Sequence, residues 1–145
     1  MLQLRQINDS MAVSPQIHVA DVAEVAAAGY KSIICNRPDQ EESDQPSFAD
    51  IEAEAQKQGL EIRWQPVQSG QLEDAHGQEF AKLLDALPGP VFAYCRSGTR
   101  SVILWAMSQA GARPVADIVR EAASAGYDIA GLAPRLEAIA AASNS

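Results

Sequence analysis

Short apolar runs alternate with amphipathic segments along the first two thirds of the chain. Runs such as Val91-Phe92-Ala93-Tyr94 are apolar on both faces, which predicts strands buried within a sheet. Apolar residues at intervals of three and four predict helices between these runs. The pattern therefore predicts helices over residues 19–28, 48–58 and around 80–87, and strands over residues 32–35, 62–67 and 91–94.

The last third of the chain is predicted to be helical. Apolar spacing indicates helices over residues 101–110, 115–125 and 133–142, and the small polar residues 141–145 are expected to fray. Strands joined by helices are typical of an α/β fold with three layers, in which a mostly parallel central sheet is flanked by helices. Ligands of such folds bind beyond the carboxyl ends of the strands, and Cys95 directly follows such an end.

Length, composition and charge limit the classes of function. A chain of 145 residues with 47% hydrophobic and 21% charged residues suits one globular domain, so we expect residues 1–145 to form a single domain. A net charge of −8 argues against nucleic acid and acidic membrane surfaces as partners. With no long apolar run and no signal segment in the sequence, we expect a cytoplasmic protein. The sequence does not indicate an oligomeric state.

The two cysteines do not form a recognisable metal site. Cys35 and Cys95 are far apart in sequence, and the chain has no Cys-x-x-Cys pair and no clustered histidines, so we expect neither a metal nor a cofactor. Both thiols are expected to be reduced. Cys35 is interpreted either as a small buried strand residue or as a redox partner of Cys95.

The loop after the last predicted strand carries the main candidate chemistry. Tyr94-Cys95-Arg96-Ser97-Gly98-Thr99-Arg100-Ser101 joins that strand to a helix, so backbone N–H groups and the positive end of the helix dipole converge on one small volume. An anion binds well in such a volume. The same amides and the nearby guanidinium groups stabilise a thiolate, so Cys95 is expected to be ionised at neutral pH and to act as a nucleophile.

The residues that follow the cysteine suit an oxyanion ligand. Gly98 lets the backbone turn without a Cβ in the way, and Arg100 presents two parallel donors to a tetrahedral oxyanion. We expect a small oxyanion or a phosphorylated substrate to be bound by Arg100 and by loop residues Arg96, Ser97, Gly98 and Thr99. The alternative is a buried cysteine before an ordinary helix, with both arginines simply solvated.

The loop resembles those of two enzyme families. In cysteine-dependent phosphatases the loop reads Cys, five residues, Arg, then Ser or Thr. The rhodanese sulfurtransferase loop is one residue shorter, and the spacing from Cys95 to Arg100 matches this shorter loop. The segments Asn36-Arg37-Pro38-Asp39 and Trp64-Gln65-Pro66-Val67 instead resemble dual-specificity phosphatases. Most closely, residues 7–110 resemble the bacterial phosphatase-like domain of beta-lactamase-hydrolase-like proteins, whose members have been labelled both phosphatase and sulfurtransferase. The resemblance implies a cysteine-phosphatase-like fold.

Two positions depart from the phosphatase pattern. Tyr94 stands where those enzymes usually have a histidine, and no aspartate occupies residues 65–70, where a dual-specificity enzyme usually carries its general acid. Asp74 is the candidate general acid; the alternative is an acid in the first turn of a helix. Ser101 is a candidate for helping the thiolate to leave.

Arg37 is a further candidate for contact with the substrate. It follows a predicted strand at the ligand-binding edge, so it either reaches the bound anion or is a surface arginine paired with Asp39 or Glu41. Glu41 and its neighbour Glu42 are expected to keep this loop exposed to water.

Three functions are consistent with these residues. A phosphatase would form a thiophosphate on Cys95 and hydrolyse it, and this is the favoured interpretation because of the flanking segments. A sulfurtransferase would form a persulfide on Cys95, which the loop length favours. An inactive oxyanion-binding module would bind phosphate without covalent chemistry.

Overall fold

The computed structural model describes residues 2–143, and within them five strands form a sheet in the order β1-β2-β5-β3-β4. β1 is antiparallel to β2, and the remaining neighbours are parallel. The strands are β1 (Arg5–Asn8), β2 (Met11–Ser14), β3 (Ser32–Cys35), β4 (Glu61–Trp64) and β5 (Val91–Tyr94). The predicted α/β class with a mostly parallel sheet is confirmed.

Helices occupy all six of the predicted regions. They are α1 (Val22–Ala27), α2 (Phe48–Lys57), α3 (Asp74–Ala86), α4 (Thr99–Gln109), α5 (Val115–Ser124) and α6 (Ala133–Ser143), with short 3-10 turns before α1 and α6. Residues 141–143, predicted to fray, belong to α6, whereas 144–145 lie outside the described residues. None of the helices in the described part of the chain is long and apolar enough to span a membrane.

The sheet has one apolar layer on each face. Side chains alternate along a strand, so Ile33 and Phe92 lie on the α1–α2 face, while Ile34 and Ala93 lie on the opposite face. The second face is covered by α3, α4, α5 and α6, and Trp105 of α4 is buried there. β3 and β5 are buried along their whole length, which explains their unbroken apolar sequences.

The β1–β2 hairpin was not predicted from the sequence. Its tight turn is stabilised by the Asn8 side chain, whose Oδ1 accepts a hydrogen bond from the Ser10 amide at 2.8 Å. β2 then pairs with β5, and Ser14 is the register partner of Tyr94. This pairing brings the segment after β2 to the cysteine loop, where the Gln16 amide donates to the Arg96 carbonyl at 3.2 Å.

β4 is shorter than predicted, because the strand ends before Pro66 instead of continuing to Val67. The chain nevertheless continues beside β3: the amides of Gln65 and Val67 donate to the Cys35 and Asn36 carbonyls at 2.9 and 3.1 Å. This path places the Val67 carbonyl beside the start of α4.

Candidate active site

The cysteine loop makes a sharp turn between β5 and α4. Gly98 has a φ of 96°, and a Cβ at this position would lie 2.1 Å from the Tyr127 hydroxyl. Glycine is therefore required both for the left-handed backbone and for the space that Tyr127 occupies. α4 begins at Thr99, two residues earlier than predicted, so Arg100 lies in its first turn.

The loop directs an amide at the sulfur of Cys95. The Gly98 N–H donates to Cys95 Sγ at 3.1 Å, which is the inward-pointing geometry expected of an anion-binding loop. The Cys95 side chain is also fully buried, with 0% exposure. An accessible nucleophile was expected, so a substrate can reach this sulfur only after neighbouring groups move.

Arg100 is fixed by a carboxylate from a distant part of the chain. Its Nη1 and Nη2 donate to Glu41 Oε2 and Oε1 at 2.8 and 2.9 Å, a bidentate pair. Nη1 also donates to the Val67 carbonyl at 2.9 Å. The guanidinium is 9% exposed and the carboxylate 24%. Arg100 is thus held in place before any ligand binds.

This arrangement leaves one edge of the guanidinium for a ligand. Arginine has five N–H donors, and within residues 2–143 the hydrogen bonds of Arg100 use Nη1 twice and Nη2 once. The Nε–Nη2 edge is thus without an oxygen partner among the described residues, and the Arg100 side chain is also within hydrogen-bonding reach of Cys95. Hydrogen bonding to Glu41 raises the pKa of Arg100, and the nearby Cys95 adds to this effect. The same pairing with Arg100 lowers the pKa of Glu41, so its carboxylate is ionised at neutral pH.

Arg37 belongs to the same charge network. It is 3% exposed, and its Nε donates to Glu41 at 2.8 Å while its Nη1 donates to Gln16 Oε1 at 3.0 Å. The expected pairing with Glu41 is present, but Arg37 is buried and is not a surface residue. The loop around Glu41 is exposed as expected, but its carboxylate is also the point on which two buried arginines converge. Arg37 Nη2 has no hydrogen-bond partner in the described structure and lies 3.6 Å from Glu42.

The other predicted loop residues are more exposed. Arg96 pairs with Glu42 at 2.8 Å and has a side-chain exposure of 67%. The Ser97 hydroxyl donates to Thr99 Oγ1 at 3.1 Å, and the Ser97 carbonyl accepts from the Tyr127 hydroxyl at 2.9 Å. These bonds brace the loop from its solvent side. Ligand binding by Arg96, Ser97 and Thr99 remains a prediction.

Ser101 has a hydrogen bond that ties α4 to the end of β3. Its hydroxyl donates to Asn36 Oδ1 at 2.8 Å, and both residues have 0% exposure. Asn36 in turn donates to the Gln65 carbonyl at 3.1 Å. This chain of bonds explains the need for Asn36 and Ser101 in the fold; a role of Ser101 in expelling the thiolate stays a prediction.

Asp74 is the first residue of α3 and is bound by Arg135 of α6. Arg135 donates to Asp74 Oδ1 through Nε at 3.2 Å, and the Nη2 contact measures 3.1 Å. Among the described residues, Asp74 does not line the cavity beside the cysteine loop, whereas Arg135 does. The assignment of Asp74 as general acid therefore stays a prediction from the sequence.

A cavity of about 760 Å³ adjoins the loop. Three arginines line it together with apolar side chains: Arg96, Arg100, Arg135, Leu72, Ile103 and Leu132. Glu41 is the acid at its wall within the described residues. The same part of the chain has no cluster of His, Cys, Asp and Glu side chains suited to a metal ion.

Cys35 and Tyr94 form a buried layer beside the loop. They are register partners on β3 and β5, with 3% and 1% exposure. Burial raises the pKa of Cys35 to about 11, and burial also raises the pKa of Tyr94. The Cys35 thiol is therefore protonated at neutral pH and contacts the Arg37 carbonyl at 3.4 Å. This favours the interpretation of Cys35 as a buried strand residue.

Sequence reasoning missed two contributions to the site. Glu41 was seen only as a loop acid, because its partner Arg100 is 59 residues away. Tyr127 and Arg135 come from the helical third of the chain, which carries no local motif for a site. The sequence signal for Glu41 was its place in a group of acidic residues that follows Arg37 at the end of a strand.

Comparisons with known proteins identify the family of the chain. A family model described as the phosphatase-like domain of beta-lactamase hydrolase-like protein matches residues 3–112. The beta-lactamase hydrolase-like protein of Xylella fastidiosa strain Temecula1 is 34% identical over 108 residues, which is 74% of this chain and 25% of that protein. The chain thus spans about a quarter of the length of the curated relatives it matches.

Solved structures share the fold. A candidate phosphatase from Neisseria meningitidis is 36% identical with a TM-score of 0.82, over 92% of this chain and 96% of that one. Human DUSP28 is 16% identical with a TM-score of 0.71, over 98% of this chain and 95% of its own. The predicted cysteine-phosphatase-like fold is confirmed. The chain belongs to the family of phosphatase-like domains of beta-lactamase hydrolase-like proteins.

Proposed function

We propose that the chain is a cysteine-dependent phosphatase that hydrolyses phosphomonoesters through a covalent intermediate on Cys95. One observation carries the proposal: the same loop holds a sulfur that accepts a backbone hydrogen bond and an arginine that is fixed by an ion pair. The Gly98 N–H donates to Cys95 Sγ, and Glu41 holds Arg100. A thiolate and an oxyanion are both stabilised by such donors.

The reaction has two balanced steps. The Cys95 sulfur forms a bond to phosphorus while the bond to the leaving oxygen breaks, and that oxygen takes up a proton. Water then attacks the thiophosphate, which releases inorganic phosphate and restores the thiolate. Arg100 binds two phosphoryl oxygens through its Nε–Nη2 edge, and Arg37 adds positive charge behind Glu41.

Burial of Cys95 implies a movement before the first step. The 0% exposure of this residue means that groups around the loop shift when a phosphoryl group enters. Arg96 is exposed on the loop, and Tyr127 bonds to the Ser97 carbonyl from outside. Both contacts are at the surface and are easier to break than the buried Arg100 pair.

The proton donor for the leaving group is the weakest part of the proposed site. Glu41, the acid at the cavity wall, is ionised at neutral pH because Arg100 lowers its pKa. Asp74 is bound to Arg135 and does not line the cavity. A phosphatase with this constellation works best on esters whose leaving oxygen needs no proton, such as aryl phosphates with acidic phenols.

Turnover of an aryl phosphate by wild type and by Cys95→Ser tests the proposal. Wild type is expected to release phosphate, and Cys95→Ser is expected to lose activity to the level of a blank. Arg100→Lys keeps the charge but loses the bidentate geometry, so its kcat/KM should fall by about 10²-fold or more. Activity that survives the loss of Cys95 would end the assignment of the nucleophile.

A second candidate function is sulfur transfer through a persulfide on Cys95. The spacing from Cys95 to Arg100, one residue shorter than in cysteine phosphatases, favours it. The assay is parallel turnover of thiosulfate with cyanide: a sulfurtransferase forms thiocyanate in a Cys95-dependent way, and a phosphatase does not. An inactive anion-binding module would bind phosphate in both variants and turn over neither substrate.

A further inference from the structure

The cavity beside the cysteine loop is much larger than a phosphate group. Its volume of about 760 Å³ falls within the ~300–1,000 Å³ typical of pockets that enclose an organic ligand. The loop itself and Arg100 account for a phosphoryl group. The remaining space therefore belongs to the part of the substrate that leaves.

The charge of the cavity differs from that of the whole chain. The chain has 11 basic and 19 acidic residues, whereas the cavity wall has three arginines and one glutamate among the described residues. Glu41 offsets Arg100, with which it forms a bidentate pair. Arg96 and Arg135 are paired with Glu42 and Asp74, which do not line the cavity, so these two arginines supply the remaining charge at its wall.

Arg135 is held rigidly with donors to spare. Its Nε and Nη2 bind Asp74, and its Nη2 also donates to the Leu72 carbonyl at 2.8 Å. In the structure of residues 2–143, Nη1 has no hydrogen bond of its own. A pre-positioned guanidinium with a free nitrogen at a cavity wall is suited to bind an anion with little loss of entropy.

The cavity wall also has an apolar part. Leu72, Ile103 and Leu132 line it, and they come from three separate segments of the chain. A ligand that spans the cavity from the loop to Arg135 therefore contacts hydrophobic surface. Leu132 and Arg135 lie beyond residues 3–112, so this wall is formed in part outside the region that the family model matches.

We propose that Arg135 binds a second negative group of the substrate, so that the preferred substrates are phosphomonoesters with an apolar or aromatic body and a second anion. The inference rests on the proposed phosphatase function for the position of the phosphoryl group. It adds a specificity residue, Arg135, which the catalytic loop does not contain.

Matched ligands with and without the second anion test the inference. Phenyl phosphate and 3-carboxyphenyl phosphate have leaving groups of similar acidity, so the ratio of their kcat/KM values reports binding of the carboxylate. Phenylphosphonate and 3-carboxyphenylphosphonate give the same comparison in a binding titration that needs no turnover. Wild type is expected to prefer the carboxylated member of each pair by about tenfold, the effect of one charge-assisted hydrogen bond.

Variants at position 135 separate binding from structure. Arg135→Gln is expected to lose the preference, and Arg135→Lys, which keeps the charge, is expected to retain most of it. Arg120→Gln is the matched control, since Arg120 is an exposed arginine of the neighbouring helix that pairs with Asp117; it should keep the wild-type preference. Thermal unfolding of each variant shows that the comparison is made on folded protein.

Each outcome bears on the inference. Equal affinity of wild type for the two phosphonates, or no binding of either, overturns it, and so does an Arg135→Lys variant that behaves like Arg135→Gln. If the phosphonate preference is present and depends on residue 135 but no phosphate ester is hydrolysed, the proposed phosphatase function fails while the second anion site stands.

Discussion

Replacement of Glu41 by glutamine is the sharpest perturbation of the site short of removing Cys95. The glutamine side chain has nearly the same shape as glutamate, but it carries no charge and has one acceptor oxygen. Glu41 accepts two bonds from Arg100 and one from Arg37, all between 2.8 and 2.9 Å. In the variant the glutamine NH2 group replaces one carboxylate oxygen and faces the N–H donors of an arginine. Two donors cannot bond to each other, so at least one of these hydrogen bonds is lost.

The size of the effect follows from burial. Arg100 and Arg37 are 9% and 3% exposed, so neither can recover a water partner easily. Loss of one charge-assisted bond costs about 1.5–3 kcal/mol. At about 1.4 kcal/mol per factor of ten, kcat/KM is expected to fall by about 10- to 100-fold because Arg100 is no longer held for the phosphoryl group. The free energy of unfolding should fall by about 1–3 kcal/mol.

The pH dependence gives a signature that a general loss of stability would not. Arg100 lowers the pKa of Glu41, so the pair stabilises the fold fully above the ordinary glutamate pKa of about 4.3 and loses that contribution as pH falls through the lowered value. Urea midpoints of wild type and Glu41→Gln should therefore differ most near neutral pH. They should converge as the pH falls through the lowered pKa of Glu41.

Two measurements complete the test. Urea unfolding across pH and steady-state kinetics with an aryl phosphate are made on wild type, on Glu41→Gln and on Glu61→Gln. Glu61 is an exposed glutamate with only a 3.9 Å contact to Arg63, so its variant should match wild type. An unchanged or higher kcat/KM in Glu41→Gln would refute the reasoning, because Glu41 would then compete with the substrate for Arg100 and not position it.

Three further predictions follow from the geometry. Gly98→Ala should lower the free energy of unfolding by about 1–3 kcal/mol in urea denaturation. Combining it with Tyr127→Phe should recover only part of the loss, since the φ of 96° stays strained. Full recovery in the double variant would show that backbone strain is unimportant. Because the pKa of Cys35 is about 11, the unfolded thiol ionises first as pH rises. Wild type should therefore lose more stability than Cys35→Ala between about pH 8.5 and about pH 11, and parallel losses in urea midpoint would contradict this. Finally, kcat/KM should fall by about 10²- to 10⁴-fold from an aryl phosphate with an acidic phenol to an alkyl phosphate, and a flat dependence on leaving group would reveal a general acid.

Much of the fold could be predicted from the sequence because the patterns that specify its strands and helices are local. The unbroken apolar runs at β3 and β5 and the helical spacing between them predicted the α/β class. The N-terminus of α2 is likewise set by a local signal, since the Ser47 side chain accepts from the Asp50 amide at 3.1 Å. The β1–β2 hairpin was missed since β1 is a half-exposed strand at the edge of the sheet. Short edge strands carry little periodicity, and their pairing is decided by the neighbouring strand.

Only the part of the site that is contiguous in sequence could be predicted from the sequence. The loop from Cys95 to Arg100 combines a strand end, a glycine and an arginine in a fixed order, so its geometry follows from local rules. Glu41 and Arg135 reach the cavity through the fold, over separations of 59 and 35 residues from Arg100. Ion pairs between distant segments have no sequence period, so the partner of Arg100 had to be seen in the structure.

Trapping the covalent intermediate tests the central claim most directly. Wild type is mixed with an aryl phosphate and quenched in acid within its first turnovers, and the peptides are mapped by mass spectrometry. The account predicts one phosphoryl group on the peptide that contains Cys95 and none in Cys95→Ser, while Cys35 remains unmodified. Turnover by Cys95→Ser, or a phosphoryl group on any other residue, would contradict it.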